Sequence, residues 1–230
     1  MAPSLNREGV KAILGIFHGV NIEAIGFFLA AGTFAVPRAW VYFAIHYTAT
    51  CIGAAILWRW IPEVANMRSK PQKGTKAWDW VLLGVYLAAL LGVAVVGGFE
   101  VGRYARPQLG SGYMGLGLFC YVAGFVLWYW AMLVNRHFET GVRVQLDRDH
   151  QVVDAGPYRW VRHPGYLSMV IGAWAGPLIY GSVYALIPAG VAVLTIVIRT
   201  QGEDRLLRQE LAGYAAFADR IRYRLIPGLW

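Results

Sequence analysis

Long apolar runs separated by short basic stretches constrain this chain more than any other feature. Crossing a hydrocarbon core about 30 Å thick takes roughly 20 apolar residues as a helix. Runs at 12–36, 40–61, 78–101 and 113–134 meet or approach that length. A further apolar region, 166–198, has 33 residues. As one helix it would measure about 50 Å, too long for a single crossing. Pro177, Gly181 and Ser182 supply turn chemistry near its middle and divide it into two short spans, 166–180 and 183–198. Only 15% of residues are charged and 57% are apolar, and the charges are bunched between the runs rather than spread through them, as a soluble domain would have them.

The expected fold is therefore all-α: a polytopic membrane protein of about six transmembrane helices, the last two forming a short helical hairpin, with an amphipathic helix after them. Region 1–134 holds spans one to four; region 135–230 holds spans five and six and the C-terminal helix. No A-x-A cleavage site follows the first run, so it is expected to stay as span one.

Lys and Arg concentrate on the cytoplasmic side of short loops. With the N-terminus inside, the inner segments carry Arg7 and Lys11; Arg59, Arg68, Lys70, Lys73 and Lys76; Arg136, Arg143, Arg148, Arg159 and Arg162; and Arg199, Arg205, Arg208, Arg220, Arg222 and Arg224. The outer side keeps Arg38, Arg103 and Arg106. This lopsided split supports an even number of crossings with both termini in the cytoplasm. It also accounts for the net charge of +8 through anionic lipid headgroups, without nucleic acid.

Several residues inside the spans have plain readings beside functional ones. Gly15, Gly19, Glu23 and Gly26 share one face of span one, which suits either a packing seam with one satisfied carboxyl or a wall of a substrate cavity. His18 and His46 read as core histidines, and Cys51 and Cys120 as buried thiols; no Cys/His spacing suggests a metal.

The chemistry gathers in two inner segments that the hairpin returns to one membrane face. In the first, QLDRDHQVVDAGPYRWVRHPGY at 145–166, the breaks at Gly156-Pro157 and Pro164-Gly165 are flanked by Tyr158, Arg162, His163 and Tyr166. A cation, an imidazole, hydroxyls and flat rings at an interface suit an anionic or zwitterionic cofactor with a flat base; a juxtamembrane anchor uses similar residues. In the second, Arg199 and Glu203 stand one turn apart, which suits either a surface ion pair or a site where the guanidinium holds a carboxylate and the glutamate a cationic amine or ribose hydroxyls. Leu207, Leu211, Tyr214, Ala218 and Ile221 follow a helical period, giving a helix that lies on the membrane or caps the site.

The pattern G-P-Y-x-x-V-R-H-P-G-Y, then an Arg four residues before an acidic pair, then R-L-I-P-G, resembles the isoprenylcysteine carboxyl methyltransferase family, with its related phospholipid and thiol methyltransferases. The resemblance covers residues 135–230. It implies S-adenosyl-L-methionine as cofactor, contacted by His150, Gln151, Val152, Val153, Tyr158, His163, Pro164, Gly165, Tyr166 and Glu203. Arg199 becomes the residue on the substrate side, Gln145 matches a family glutamine, and Asp204 stands where the family has a second Glu, a change expected to matter little because the charge is kept. The implied reaction is in-line methyl transfer, with Arg199 and Glu203 as the catalytic pair and an oxygen acceptor favoured. The implied substrate is a hydrophobic or lipid-like molecule reaching the site from the bilayer, with membrane lipids as surroundings and no obligate protein partner. Membrane sterol and steroid reductases, which bind NADPH, share the C-terminal layout, and a non-catalytic scaffold is the remaining alternative.

Overall fold

The computed structural model describes residues 4–69, 74–105 and 109–230. Among the described residues every regular element is helical. Helix α1 (Arg7–Ala31) is followed by α2 (Pro37–Arg59), a short α3 (Pro62–Arg68) and α4 (Ala77–Gly98), which continues through a π-helical turn at Phe99–Arg103. Then come α5 (Ser111–Val134), α6 (Pro164–Ala173), α7 (Ala175–Tyr180), α8 (Leu186–Glu210) and α9 (Tyr214–Arg220). Five of these, α1, α2, α4 with its π-helical turn, α5 and α8, are long and apolar enough to cross a membrane.

The remaining expected span, the fifth, corresponds to the α6–α7 pair. Pro177 lies in the first turn of α7 rather than in the hairpin turn, and its ring crowds the carbonyl four residues back, at Ala173, where α6 ends. The pair still runs the length of the bundle, because its 17 residues reach about 25 Å. At its far end the Gly181 carbonyl accepts from the Leu109 amide at 3.2 Å. Glu100, at the end of α4, takes the Ser182 hydroxyl and the Tyr184 amide, the latter at 2.9 Å.

Those contacts mark one end of the bundle, where Arg38 also donates to the Leu109 carbonyl at 2.8 Å and Arg103 to that of Ala30 at 3.0 Å. The opposite end joins the other basic segments: Asn6 bonds to Asn66 at 2.9 Å, and Lys76 to Glu210 at 3.0 Å. Lys70, Lys73 and Arg106 lie outside the described residues. Leu29, Trp58, Val81, Phe119 and Ile187 are each more than 65% exposed on the outer faces of the long helices, surface a bilayer would cover. Inside, Phe27, Tyr42, Phe43 and Tyr180 form an aromatic core, with the Phe27 and Tyr180 rings 4.6 Å apart.

Element ends differ from the hydropathy reading wherever capping or tertiary packing sets them. Helix α1 begins at Arg7 because the Asn6 side chain accepts the amides of Glu8 and Gly9 at 2.9 and 3.0 Å. Helix α8 runs twelve residues beyond 198 as a continuous rod, so Arg199, Glu203 and Asp204 sit on a rigid element rather than a loop. The expected amphipathic C-terminal helix is broken instead: Gly213 takes φ 81°, a conformation that costs a residue with a side chain, and α9 starts anew after it.

The glycine seam expected on α1 is only partly formed. Gly15 and Gly19 face open space, and Gly26 alone meets α4, at Leu91. The close approach falls on the other partner, where Gly98 and Gly102 press against Phe27–Ala31 backbone and side chains. His18 and Cys51 are exposed rather than buried, since helix rotation, not spacing, decides which face turns inward. Glu23 takes a hydrogen bond from Tyr42 at 2.9 Å and is not part of the cavity described below. Gly98→Leu is expected to lower stability by about 1–3 kcal/mol through overpacking, while Gly15→Leu changes it by less than about 0.5 kcal/mol; thermal unfolding in detergent compares them.

Candidate active site

The chain between α5 and α6 is a succession of tight turns that the C-terminal segment clamps from outside. Gly156 takes φ 55°, and a β-carbon there would stand 3.0 Å from the Trp130 indole nitrogen, so the turn needs glycine for both conformation and space. It points Tyr158 inward, where the hydroxyl accepts from the Asn135 amide at 2.9 Å. Pro164 then starts α6 at its first position, and Gly165 lets that start press against Phe138, 2.7 Å from where a β-carbon would be. The amides of Arg162 and His163 donate to the carbonyls of Tyr223 and Arg224 at 2.9 and 3.0 Å, which fastens the C-terminal segment to the loop.

Asp204 is the hub of that clamp. Its carboxylate accepts from Arg162 at 2.7 and 3.2 Å, from Arg224 at 3.0 Å and from the Tyr214 hydroxyl at 3.0 Å. The Arg162 guanidinium also donates to the carbonyls of Ile221 and Arg222 at 2.7 and 2.8 Å. Asp204 is 1% exposed and Arg162 4%, so each charge relies on the other. Burial, with Asp204 beside it, holds the Tyr214 hydroxyl above its usual range, keeping it a donor. The His163 Nε2 atom lies 3.1 Å from the Tyr214 oxygen and 3.4 Å from the Asp204 carboxylate, which joins the imidazole to the same network. The substitution of Asp for Glu at 204, expected to matter little, therefore falls on the most heavily bonded carboxylate of the site.

Arg199 and Glu203, whose spacing suits either an ion pair or two poles of a site, are not paired with each other among the described residues; a second network holds Arg199. Arg199 donates to Asp79 at 2.6 and 3.0 Å and to the Thr140 carbonyl, and Asp79 in turn accepts the Val142 amide at 2.8 Å. Asp79 is fully buried in the first turn of α4 and lies 120 residues from Arg199 in sequence, beyond the reach of any local pattern. The guanidinium also sits 5.3 Å over the Tyr166 ring, and the Tyr166 hydroxyl donates to Glu203. Arg199 is thus already neutralised, and among the described residues no cation is in ion-pair contact with Glu203.

The loop before the cofactor-like motif is held by Gln145, which is buried and donates to the His137 carbonyl at 2.6 Å while accepting from Arg148 at 3.0 Å. Asp149 takes φ 50°, a left-handed turn that Asp tolerates, and the chain doubles back so that the His150 ring lies 4.6 Å from His137. Burial pushes the His150 imidazole down to about 4, with His137, Arg143 and Arg148 adding to the effect. His137 is lowered too, chiefly by burial.

These parts enclose a cavity of about 450 Å³, within the usual range for a cofactor pocket. His150, Gln151, Val152, Val153, Tyr158, His163, Gly165, Tyr166, Arg199 and Glu203 all line it, as does Gln145; Pro164 does not, being buried behind the wall. The pocket also has residues that sequence reasoning did not single out: Arg68 of α3, Leu83, Tyr86 and Leu87 of α4, Trp128 of α5, and Phe217 of α9. Among the described residues, 150–154 form no regular element and no backbone–backbone hydrogen bond, leaving amides and carbonyls for a ligand. Free backbone groups, one carboxylate without a counter-cation and apolar plates fit a zwitterionic cofactor with a flat base.

Residues 113–212 match the family model described as phospholipid methyltransferase. That segment belongs to the phospholipid methyltransferase family. It carries α5 to α8 and every cavity residue from Gln145 to Glu203, so the protein reads at family level as a membrane methyltransferase. Arg68, Asp79, Tyr214 and Arg224, which complete the methyltransferase segment in space, lie outside the match. No curated protein matches the chain.

Removing the hub carboxylate with Asp204→Ala is expected to cost about 3–5 kcal/mol, because it strands a buried guanidinium. Asp154→Ala, which breaks an exposed pair with Arg220, is expected to cost less than about 1 kcal/mol. Thermal unfolding of each variant separates the two. The histidines set a pH response of definite sign: a folded imidazole held below its ordinary value opposes protonation, so stability is full above about 6.5 and declines as pH falls toward 4. His150→Asn is expected to flatten that decline in unfolding curves taken from pH 7 to 4.5.

Proposed function

We propose that the protein is an integral membrane methyltransferase that uses S-adenosyl-L-methionine to methylate an amphiphile dissolved in the bilayer, with its site facing the cytoplasm. The observation that carries this reading is the meeting in one cavity of the partner-free 150–154 backbone and the Glu203 carboxylate with an apolar wall. Helices α4 and α5 have no extended contact with each other, yet Leu83 and Leu87 of one and Trp128 of the other line the same pocket, and Leu87 is 57% exposed. In this reading a water-soluble group enters from the loops and an apolar chain from the lipid. The gathering of Lys and Arg at the loop end supports a cytoplasmic site and cytoplasmic termini.

S-adenosyl-L-methionine, when bound there, supplies an electrophilic sulfonium methyl group for in-line displacement. The protein's task is then orientation, which for a reaction of this kind means holding the nucleophile about 3–3.5 Å from the carbon it attacks. Glu203 accepts from an ammonium or from ribose hydroxyls, and the Tyr166 hydroxyl fixes its rotamer. Val152 and Val153 offer backbone groups, and Tyr158 with the apolar side chains of the α8–α9 turn flanks a flat base. Arg199, tied to Asp79, acts as a positioning residue: it supports the Tyr166 ring from which Glu203 is held. An ionised oxygen acceptor needs no base, so we place an oxygen acceptor first. An amine or thiol would hand its proton to His163 or Glu203.

The family match supports the methyltransferase reading over an NADPH-dependent reductase and over a scaffold without a ligand. Equilibrium binding to the detergent-purified protein tests it. S-adenosylhomocysteine is expected to bind the wild type and to bind Glu203→Gln at least about ten-fold more weakly, or about 1.4 kcal/mol. Binding of NADPH without S-adenosylhomocysteine would overturn the proposal.

A further inference from the structure

The cavity holds one guanidinium whose charge nothing in the described structure answers. Of the arginines on its wall, Arg199 is matched by Asp79, Arg162 by Asp204, and Arg143 by Glu139 at 2.8 Å. Arg68, at the end of α3, pairs with no acid among the described residues, and its Nη1 atom is buried without a hydrogen-bond partner. A buried charged donor left unsatisfied is costly unless a ligand completes it. The guanidinium lies 5.6 Å over the Trp128 ring, which holds its plane while leaving the donor edge free. Trp128 and the neighbouring Leu83 and Leu87 form the part of the wall where α4 and α5 part. A planar cation beside an apolar wall, one of whose residues, Leu87, is 57% exposed, suits an anionic head on an alkyl chain.

We propose that Arg68 binds the acidic group, a phosphate ester or carboxylate, of the amphiphilic acceptor while its apolar chain lies in the gap between α4 and α5. This rests on the methyltransferase reading for the word acceptor, but the binding itself can be measured without it. Arg68 lies outside residues 113–212, so it would set acceptor specificity from a part of the chain that the family match does not cover.

Decyl phosphate, decyl glucoside and inorganic phosphate serve as probes, titrated against the full-length protein in a neutral detergent. Wild type is expected to bind decyl phosphate and to bind the glucoside and free phosphate at least about ten-fold more weakly. Arg68→Gln is expected to lose at least about ten-fold in decyl phosphate affinity and Arg68→Lys about three-fold, while S-adenosylhomocysteine affinity stays unchanged in both. Unchanged decyl phosphate binding in Arg68→Gln overturns the proposal. Equal loss of S-adenosylhomocysteine binding also overturns it, by assigning Arg68 to the cofactor. Free phosphate binding as tightly as decyl phosphate overturns the amphiphile as source. A wild-type measurement covers the case in which the variants fail to fold: decyl phosphate is expected to protect Arg68 from phenylglyoxal, read by mass spectrometry, and absence of protection overturns the assignment. Failure of wild type to bind S-adenosylhomocysteine would count against the methyltransferase reading and leave the decyl phosphate comparison intact.

Discussion

The buried carboxylate of Asp204 ties together pieces of chain that backbone bonds and apolar packing also bring side by side. It stands on α8, and its partners come from the loop before α6, from α9 and from the C-terminal segment. Desolvating one carboxylate against two guanidinium groups is favourable only when most donors are used, and here Arg162 spends its remaining hydrogen bonds on the carbonyls of Ile221 and Arg222. The consequence is geometric: His163, Tyr166 and the α8–α9 turn are fixed relative to one another, so the roof of the cavity is set by electrostatics rather than by apolar packing alone. Asp79 does the same at the floor, where it neutralises Arg199 and catches the Val142 amide.

Two buried acids tied to two arginines leave a cavity with an unusual remaining charge pattern. Among the described residues lining the cavity, the carboxylate of Glu203 and the guanidinium of Arg68 have no ion-pair partner. One suits a cation or hydroxyls, the other an anion. The proposed methyl transfer between a zwitterionic cofactor and an acidic amphiphile would use that division.

Much of the fold was legible in the sequence because crossing lipid leaves few choices. Backbone groups in hydrocarbon must bond within their own helix, so run length counted the crossings and basic residues marked the common end. The motif in 145–166 and the family resemblance it carries, together with Glu203 on α8, named part of the cavity wall. Where the reading failed, the deciding force acted between segments. Gly15 and Gly19 have the spacing of a seam, yet α1 is rotated so that α4 meets it elsewhere. Arg199 and Glu203 have the spacing of an ion pair, yet a stronger acid-to-guanidinium contact arrives from α4.

The sequence by itself determined that the chain is helical, that it spans a membrane, and which short stretch carries polar chemistry, since each is written in local composition and period. Only the tertiary structure decided which charges cancel and which remain. Partnerships such as Asp79 with Arg199 and Asp204 with Arg162 join residues 120 and 42 positions apart. They depend on the rotation and depth of packed helices, for which a one-dimensional pattern has no coordinate.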